Sequence, residues 1–389
     1  MNLACFEIKS PWRDVGLICL AFILFILLEQ ASLCEAEASK CFFQPGAVWL
    51  DTAGNPINAH GGGVLYYKGV YYWYGELKEG RTYLPKVNEH WSGTRVLAGG
   101  VSCYSSTNLY EWKNEGVALP SDPKNPDDDL ACENVIERPK VIFNAKTKKF
   151  VMWFHQDSPD YLAARSAVAV SDTPTGPFKY LGSFRPDKEV WPLYVQKQDK
   201  IPSQNNLLAR DFKFGQMARD MTLFVDDDGT AYEFYASENN GTLHVSQLSD
   251  DYLRSAGKFA RILTGRFTEA PAVFKHHGKY YLIASGCTGW QPNTARSAVA
   301  TRIFGPWTEL GNPCRGANAD ITFFGQSTWV LTVAGHSSSL IAMFDRWNKW
   351  DLQNSRYLWL PITFDDQDRP LIQWRDRWSL TNKDFEPAL

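Results

Sequence analysis

Residues 268–286 read TEAPAVFKHHGKYYLIASG. One carboxylate, Glu269, stands directly before Ala270-Pro271. An apolar run follows, then a turn at His276-His277-Gly278-Lys279, then the aromatic and branched run Tyr280-Tyr281-Leu282-Ile283-Ala284. Two short runs of strand-favouring residues around a glycine turn predict a β-hairpin with an acid at its entrance.

Four other stretches repeat this plan. They are residues 58–76 (NAHGGGVLYYKGVYYWYGE), 136–155 (IERPKVIFNAKTKKFVMWFH), 218–237 (ARDMTLFVDDDGTAYEFYAS) and, more weakly, 319–335 (ADITFFGQSTWVLTVAG). Each is followed by a fainter strand-and-turn segment: GVSCYSSTNLYEW, AVAVSDTPTGPF, LHVSQLSDDYL, AVATRIFGPW and IAMFDRWNKW. A hairpin plus a third and a fourth strand is one propeller blade, so five repeats predict an all-β, five-bladed β-propeller. First strands of blades line the central channel, and residues at equivalent entrances therefore converge. The entrances carry His60, Glu137, Asp220, Glu269 and, in the fifth repeat, Asp320 or its neighbours. The HGGG run at 60–63 implies close backbone approach near the axis. Two long intervals hold extra loops, 80–99 and 185–216, which read as functional rims.

The 389 residues include 15 Trp, 17 Tyr and 23 Phe, with 21% charged residues and a net charge of −3. This is a globular composition, and its near-neutral balance gives no case for a nucleic acid or an anionic membrane surface as partner. The apolar run 15–28 follows Lys9 and Arg13 and precedes small residues at Ala36 and Ala38. Residues 1–38 therefore read as a secretory signal peptide, making the protein secreted or periplasmic, with an uncleaved membrane anchor as the alternative. Residues 40–389 read as a single propeller domain and as a monomer. Cleavage would remove Cys5, Cys19 and Cys34 and leave Cys41, Cys103, Cys132, Cys287 and Cys314. Bridges Cys103–Cys132 and Cys287–Cys314 are one reading and buried free thiols the other. The cysteine spacings match no zinc pattern, and His336, near the channel, has no ligand cluster about it, so no metal or other cofactor is expected.

Acids gathered from separate blades suit glycosidic bond cleavage, in which one carboxyl protonates the leaving oxygen and a second group activates water. The alternative reading has each acid capping backbone N–H groups or pairing with Arg138 or Arg219.

The motifs HGGGVLYYKGVYYWYGE, IERPKVIFN, RDMTLFVDDDGTAY, EAPAVFKHHGKYYLIASGCTGWQPN and GQSTWV resemble glycoside hydrolase family 43, in particular its branch of exo-β-1,3-galactanases. The resemblance implies an inverting exo-glycosidase acting on galactan or arabinogalactan chains. It implies that Glu269 is the general acid and that Asp220 tunes and orients it. It also implies a departure from most of the family, because the first entrance reads Asn58-Ala59-His60-Gly61 and holds no base Asp. In that branch Gln326 of GQSTWV would hold the attacking water, in an imidic tautomer, and Glu137 would contact the sugar. The reverse assignment is chemically plainer, since a neutral amide is a poor base. Tyr161, Asn240 and Thr288 align with sugar-contacting positions. Trp290 would stack on a sugar face, and Glu76 and His60 are further candidates for the pocket. An α-L-arabinofuranosidase, a β-D-galactofuranosidase and a non-catalytic sugar-binding propeller are the alternatives.

Overall fold

The computed structural model describes residues 42–85, 93–125, 127–336, 338–380 and 385. The apolar run, its cleavage sites and the four cysteines up to Cys41 lie outside them. Among the described residues, twenty-one strands build five sheets. Blade one holds β1 (His60–Tyr67), β2 (Val70–Tyr83), β3 (Arg95–Ser106) and β4 (Lys113–Pro120). Blade two holds β5 (Val135–Asn144), β6 (Lys149–Asp157), β7 (Arg165–Ser171) and β8 (Lys179–Phe184). Blade three holds β9 (Met221–Val225), β10 (Ala231–Ser237), β11 (Thr242–Leu248) and β12 (Ser255–Ile262). Blade four holds β13 (Thr268–His276), β14 (Lys279–Gly286), β15 (Arg296–Ala300) and β16 (Thr308–Gly311). Blade five holds β17 (Cys314–Arg315), β18 (Gln326–Thr332), β19 (Leu340–Arg346), β20 (Arg356–Phe364) and β21 (Pro370–Gln373). The protein is the five-bladed β-propeller that the repeats predict.

Alternation within the strands makes the ring. In β6, Phe150, Met152 and Phe154 join the apolar cluster shared with blade one, while Val151 and Trp153 join the cluster shared with blade three. In β14, Leu282 and Ala284 face blade three, and Tyr281 and Ile283 face blade five. Both faces of a central strand are buried, so these strands read as nearly continuous apolar runs. The fifth cluster joins blades one and five and takes in the segment that leads to β1, including Phe43 and the half-buried Trp49. There Phe43 forms an antiparallel bridge with Trp378 and stacks on it at 4.4 Å.

The fifth repeat differs from its prediction. Residues Ala319–Phe324 form an irregular 3-10 segment in which Thr322, Phe323 and Phe324 have positive φ. The hairpin begins only at Gln326, and its second strand is β19, the segment read from sequence as a third strand. The entrance residue of blade five is therefore Gln326, not Asp320. Strands β20 and β21 complete the blade, and β17 pairs with β21 in parallel. Cys103, Cys132, Cys287 and Cys314 are all free thiols, so neither expected bridge forms. His336 sits exposed in a turn after β18. No helix of the described residues is long and apolar enough to cross a membrane.

Candidate active site

The site is set by what happens where each first strand enters its blade. In β1, β5, β13 and β18 the pairing with the second strand slips by one residue, between His60 and Gly63, Glu137 and Lys140, Glu269 and Ala272, and Ser327 and Trp329. Gly61, Arg138 and Ala270, each directly after an entrance residue, have φ near +55° (59°, 57° and 53°). Bulges of this kind re-aim the neighbouring side chain, and a proline is tolerated beside them, as at Pro139 and Pro271. Non-glycine residues in this backbone region are uncommon; of those in this chain, Arg138, Tyr161 and Asn240 line the site and Ala270 directly follows Glu269.

A cavity of about 150 Å³ results, lined by Glu76, Glu137, Arg138, His155, Tyr161, Arg219, Asp220, Asn240, Glu269, Gly289, Trp290, Gln326 and Trp347. All five blades contribute to it.

At its centre lies the buried guanidinium of Arg138. It donates to Gln326 Oε1 at 2.7 Å and to the Ser327 carbonyl at 3.1 Å, and it pairs with Asp220 at 3.0 Å. Burial alone would lower its pKa, but Asp220, Glu76, Asp345 and Glu137 together raise it. Asp220 also accepts the Ala270 N–H at 2.9 Å, which ties it to the bulge that carries Glu269. Glu269 accepts from Asn240 Nδ2 at 2.7 Å. Burial, and next the charge of Asp220, push the Glu269 carboxyl up to about 8, outweighing Arg138.

Glu137 is tuned in the opposite direction. Burial works to raise it, but the hydrogen bond and charge of His155, with Lys78 and Arg138, bring it down to about 2. His155 Nδ1 lies 3.5 Å from Glu137 and Nε2 3.0 Å from Asp157. Those two carboxylates overcome burial and raise the imidazole to about 9. Tyr161 Oη donates to Glu137 Oε1 at 2.9 Å. One cavity thus holds a carboxyl kept protonated and a carboxylate kept ionised. Glu137, His155 and Asp220 place one ligand atom each within 4.8 Å of one another. A metal ion there would have to strip the proton from His155 and displace Arg138 from Asp220.

Gln326 is held on three sides. Its Oε1 accepts from Arg138 and, at 2.8 Å, from Trp347 Nε1, while its Nε2 donates to Ser285 Oγ at 3.0 Å. Guanidinium and indole groups only donate, so the side-chain oxygen is the atom turned toward them. At the rim, Trp290 and Trp347 meet edge to face at 5.1 Å. Lys78 Nζ lies 5.5 and 5.2 Å from their rings and 2.7 Å from Glu76.

Of the ten residues named from sequence, Glu76, Glu137, Tyr161, Asp220, Asn240, Glu269, Trp290 and Gln326 line this cavity. Thr288 and His60 do not. Thr288 is exposed and closes a local turn, donating to the Gln291 carbonyl and accepting from Asn293. His60 is buried beside the axis, stacked on Tyr357 at 5.2 Å and 3.5 Å from Asp345. His155 and Trp347 were missed. His155 is the cross-strand partner of Glu137, as Glu76 is of His60, and Trp347 follows the corresponding end of β19. The pairing partners of the entrance residues were the signal.

The sequence profile described as "Glycosyl hydrolases family 43" matches residues 63–366. Among solved structures, the chain is similar to a family 43 β-1,3-galactosidase solved with galactodeoxynojirimycin, at 44% identity and a TM-score of 0.80, over 87% of this chain and 100% of that one. It is similar to an exo-β-1,3-galactanase of Phanerochaete chrysosporium solved with β-1,3-galactotriose, at 35% identity and a TM-score of 0.70, over 88% and 69%. An exo-β-1,3-galactanase of Clostridium thermocellum is 36% identical with a TM-score of 0.70, over 86% and 66%. Comparison with curated proteins found no match.

Proposed function

The chain belongs to glycosyl hydrolase family 43, and on that footing we propose that it is an inverting exo-β-1,3-galactanase that releases single galactose units from the non-reducing ends of galactan or arabinogalactan chains. The observation that carries this reading is the pairing of Glu269, kept protonated up to about 8, with Asp220 beside it. Glu269 gives its proton to the leaving glycosidic oxygen. Asp220 keeps that proton on Glu269 in the free enzyme and stabilises the charge that develops on the sugar. The small cavity, closed below by Arg138 and edged by Trp290 and Trp347, favours a terminal residue over an internal one.

Gln326 positions the water. Its oxygen is occupied by Arg138 and Trp347, so it offers N–H and not a proton-accepting lone pair. Attack on an oxocarbenium-like centre asks for orientation more than for a strong base: as the new C–O bond forms and the glycosidic C–O bond breaks, the water sheds its proton to solvent water. Glu137, with its low pKa, is a weak base and a strong hydrogen-bond acceptor, which suits a sugar hydroxyl. Such a polymer lies outside cells, in keeping with residues 1–38 acting as an export signal; N-terminal sequencing of the mature protein tests that part.

Product analysis by proton NMR on β-1,3-galactan tests the rest. Release of galactose alone, appearing first as the α-anomer, is expected. No release from galactan, with turnover of arabinofuranosyl or galactofuranosyl substrates instead, would replace the sugar assignment. Binding without any turnover would make the protein a lectin.

A further inference from the structure

The insertion 185–216 builds a second cavity against the first. It is bolted to blade three by the buried Asp187, which accepts from Tyr235 Oη at 2.8 Å, Ser246 Oγ at 3.0 Å and Ser255 Oγ. Within it Trp191 stacks on Phe212 at 4.2 Å, and the backbone N–H of Glu189 bonds to the Phe212 carbonyl. The segment is a folded element, not a loose loop. Between it and the blade edge lies a cavity of about 290 Å³ lined by Leu162, Arg185, Arg210, Asp211, Met217, Arg219 and Asn239.

Three facts define this cavity. It shares a wall with the catalytic one: Arg219 lines both, and Leu162 and Asn239 are chain neighbours of Tyr161 and Asn240, which line the other. Its lining carries three guanidiniums and one carboxylate, Asp211, with the buried Asp157 behind the wall 3.8 Å from Arg219. The Asp211 carboxylate is already held by Arg210 at 2.7 and 2.9 Å and faces Arg185 at 3.8 Å. The guanidiniums are also preset. Arg185 donates to the Ala163 and Leu162 carbonyls at 2.8 Å, and Arg219 donates to the Tyr161 carbonyl at 2.7 Å. Each has N–H groups beyond those bonds, in the fork geometry that matches an oxyanion.

We propose that this cavity is a subsite for an anionic substituent, the carboxylate of a uronic acid carried as a branch on the galactan. It deepens the galactanase reading and rests on it: the neutral terminal galactose occupies the catalytic cavity while its charged branch lies across the Arg219 wall. A charged branch gains both steering toward the site and bidentate contacts.

The test compares kcat/KM of the full chain on linear β-1,3-galactotriose and on the same trisaccharide with one neutral, one uronate or one sulfate branch. At low ionic strength the uronate-branched substrate should exceed the neutral-branched one by about fivefold or more, and added salt should erase the difference. Arg210→Ala should lower the uronate substrate about tenfold and leave linear galactotriose unchanged, with Arg210→Lys intermediate. A sulfate preference over uronate would overturn the choice of carboxylate. Equal rates on charged and neutral branches, or an equal loss on every substrate in Arg210→Ala, would overturn the subsite. If linear galactotriose is not cleaved at all, the galactanase reading fails separately. Calorimetric titration of Glu269→Gln protein with a uronosyl-galactose disaccharide then decides the subsite alone: salt-sensitive binding lost in the added Arg210→Ala change upholds it, and no binding removes it.

Discussion

Glu269 carries a cost in stability that its proposed chemistry requires. Its carboxyl is protonated up to about 8, whereas an unfolded chain releases that proton near 4.5. Between those values the folded protein binds the extra proton, so stability falls as pH rises through that window. Glu269→Gln removes the penalty, on the order of a few kcal/mol at pH 8. Melting temperatures of the two proteins should coincide near pH 4.5 and separate as pH rises, with the variant the more stable. A variant less stable at pH 8 would mean the carboxylate is satisfied there. Activity should move the other way. Proton donation gives about 10²- to 10⁴-fold, so Glu269→Gln should lose about 10³-fold on galactan. It should lose far less on an aryl galactoside whose phenol leaves without help. For the parent enzyme kcat/KM should fall on the alkaline side as Glu269 loses its proton near 8. Glu137 and Gln326 divide in their kinetics. Glu137→Gln should mainly raise KM, by about tenfold, whereas Gln326→Ala should mainly lower kcat, by about 10²-fold.

At the scale of elements, the bulged entrances decide which side chains meet, and β1 shows how tightly they are built. A Cβ on Gly62 would lie 1.7 Å from the Tyr74 carbonyl oxygen, and one on Gly75 would lie 2.1 Å from the Ala59 carbonyl carbon. Only glycine lets β1 and β2 approach so closely. Gly62→Ala should therefore pry the hairpin apart and cost about 3 kcal/mol or more, read as a fall in the urea midpoint; an unchanged midpoint would show that the strands can separate freely. This close approach was legible in the run HGGG, as were four hairpins in which period-2 apolar runs flank a clear turn. The fifth was misplaced because the apolar residues of 319–324 read as strand, while three left-handed residues fold them into an irregular turn. That shift displaced the entrance to Asp320 and hid Trp347 in what read as a third strand. His155 was hidden otherwise. A bulge breaks simple alternation, so a residue opposite an entrance acid shows its direction only once the register is known. The arginines of 185–216 were invisible as a group, because that insertion has no periodicity from which to place them.

For the whole molecule, the site exists only while the ring is closed. Glu76, Glu137, Asp220, Glu269 and Gln326 come from five different blades and meet at one mouth. The seam between blades one and five is drawn together by Phe43 and Trp378, joined by two backbone hydrogen bonds at 2.8 and 3.1 Å. Trp378 Nε1 also donates to the Trp359 carbonyl at 2.7 Å. Trp73, Trp112, Tyr357 and Trp359 complete a tryptophan-rich aromatic block at this seam. Trp378→Ala should cost about 3–5 kcal/mol, as for a large buried aromatic. How the loss appears is the more telling measurement. If closure acts as a single clasp on a cooperative ring, activity and far-UV circular dichroism in urea should fall together, at a midpoint lowered equally for both. Activity lost at clearly lower urea than the strand signal would mean that the blades outlast the ring. The seam would then gate the site without holding up the fold.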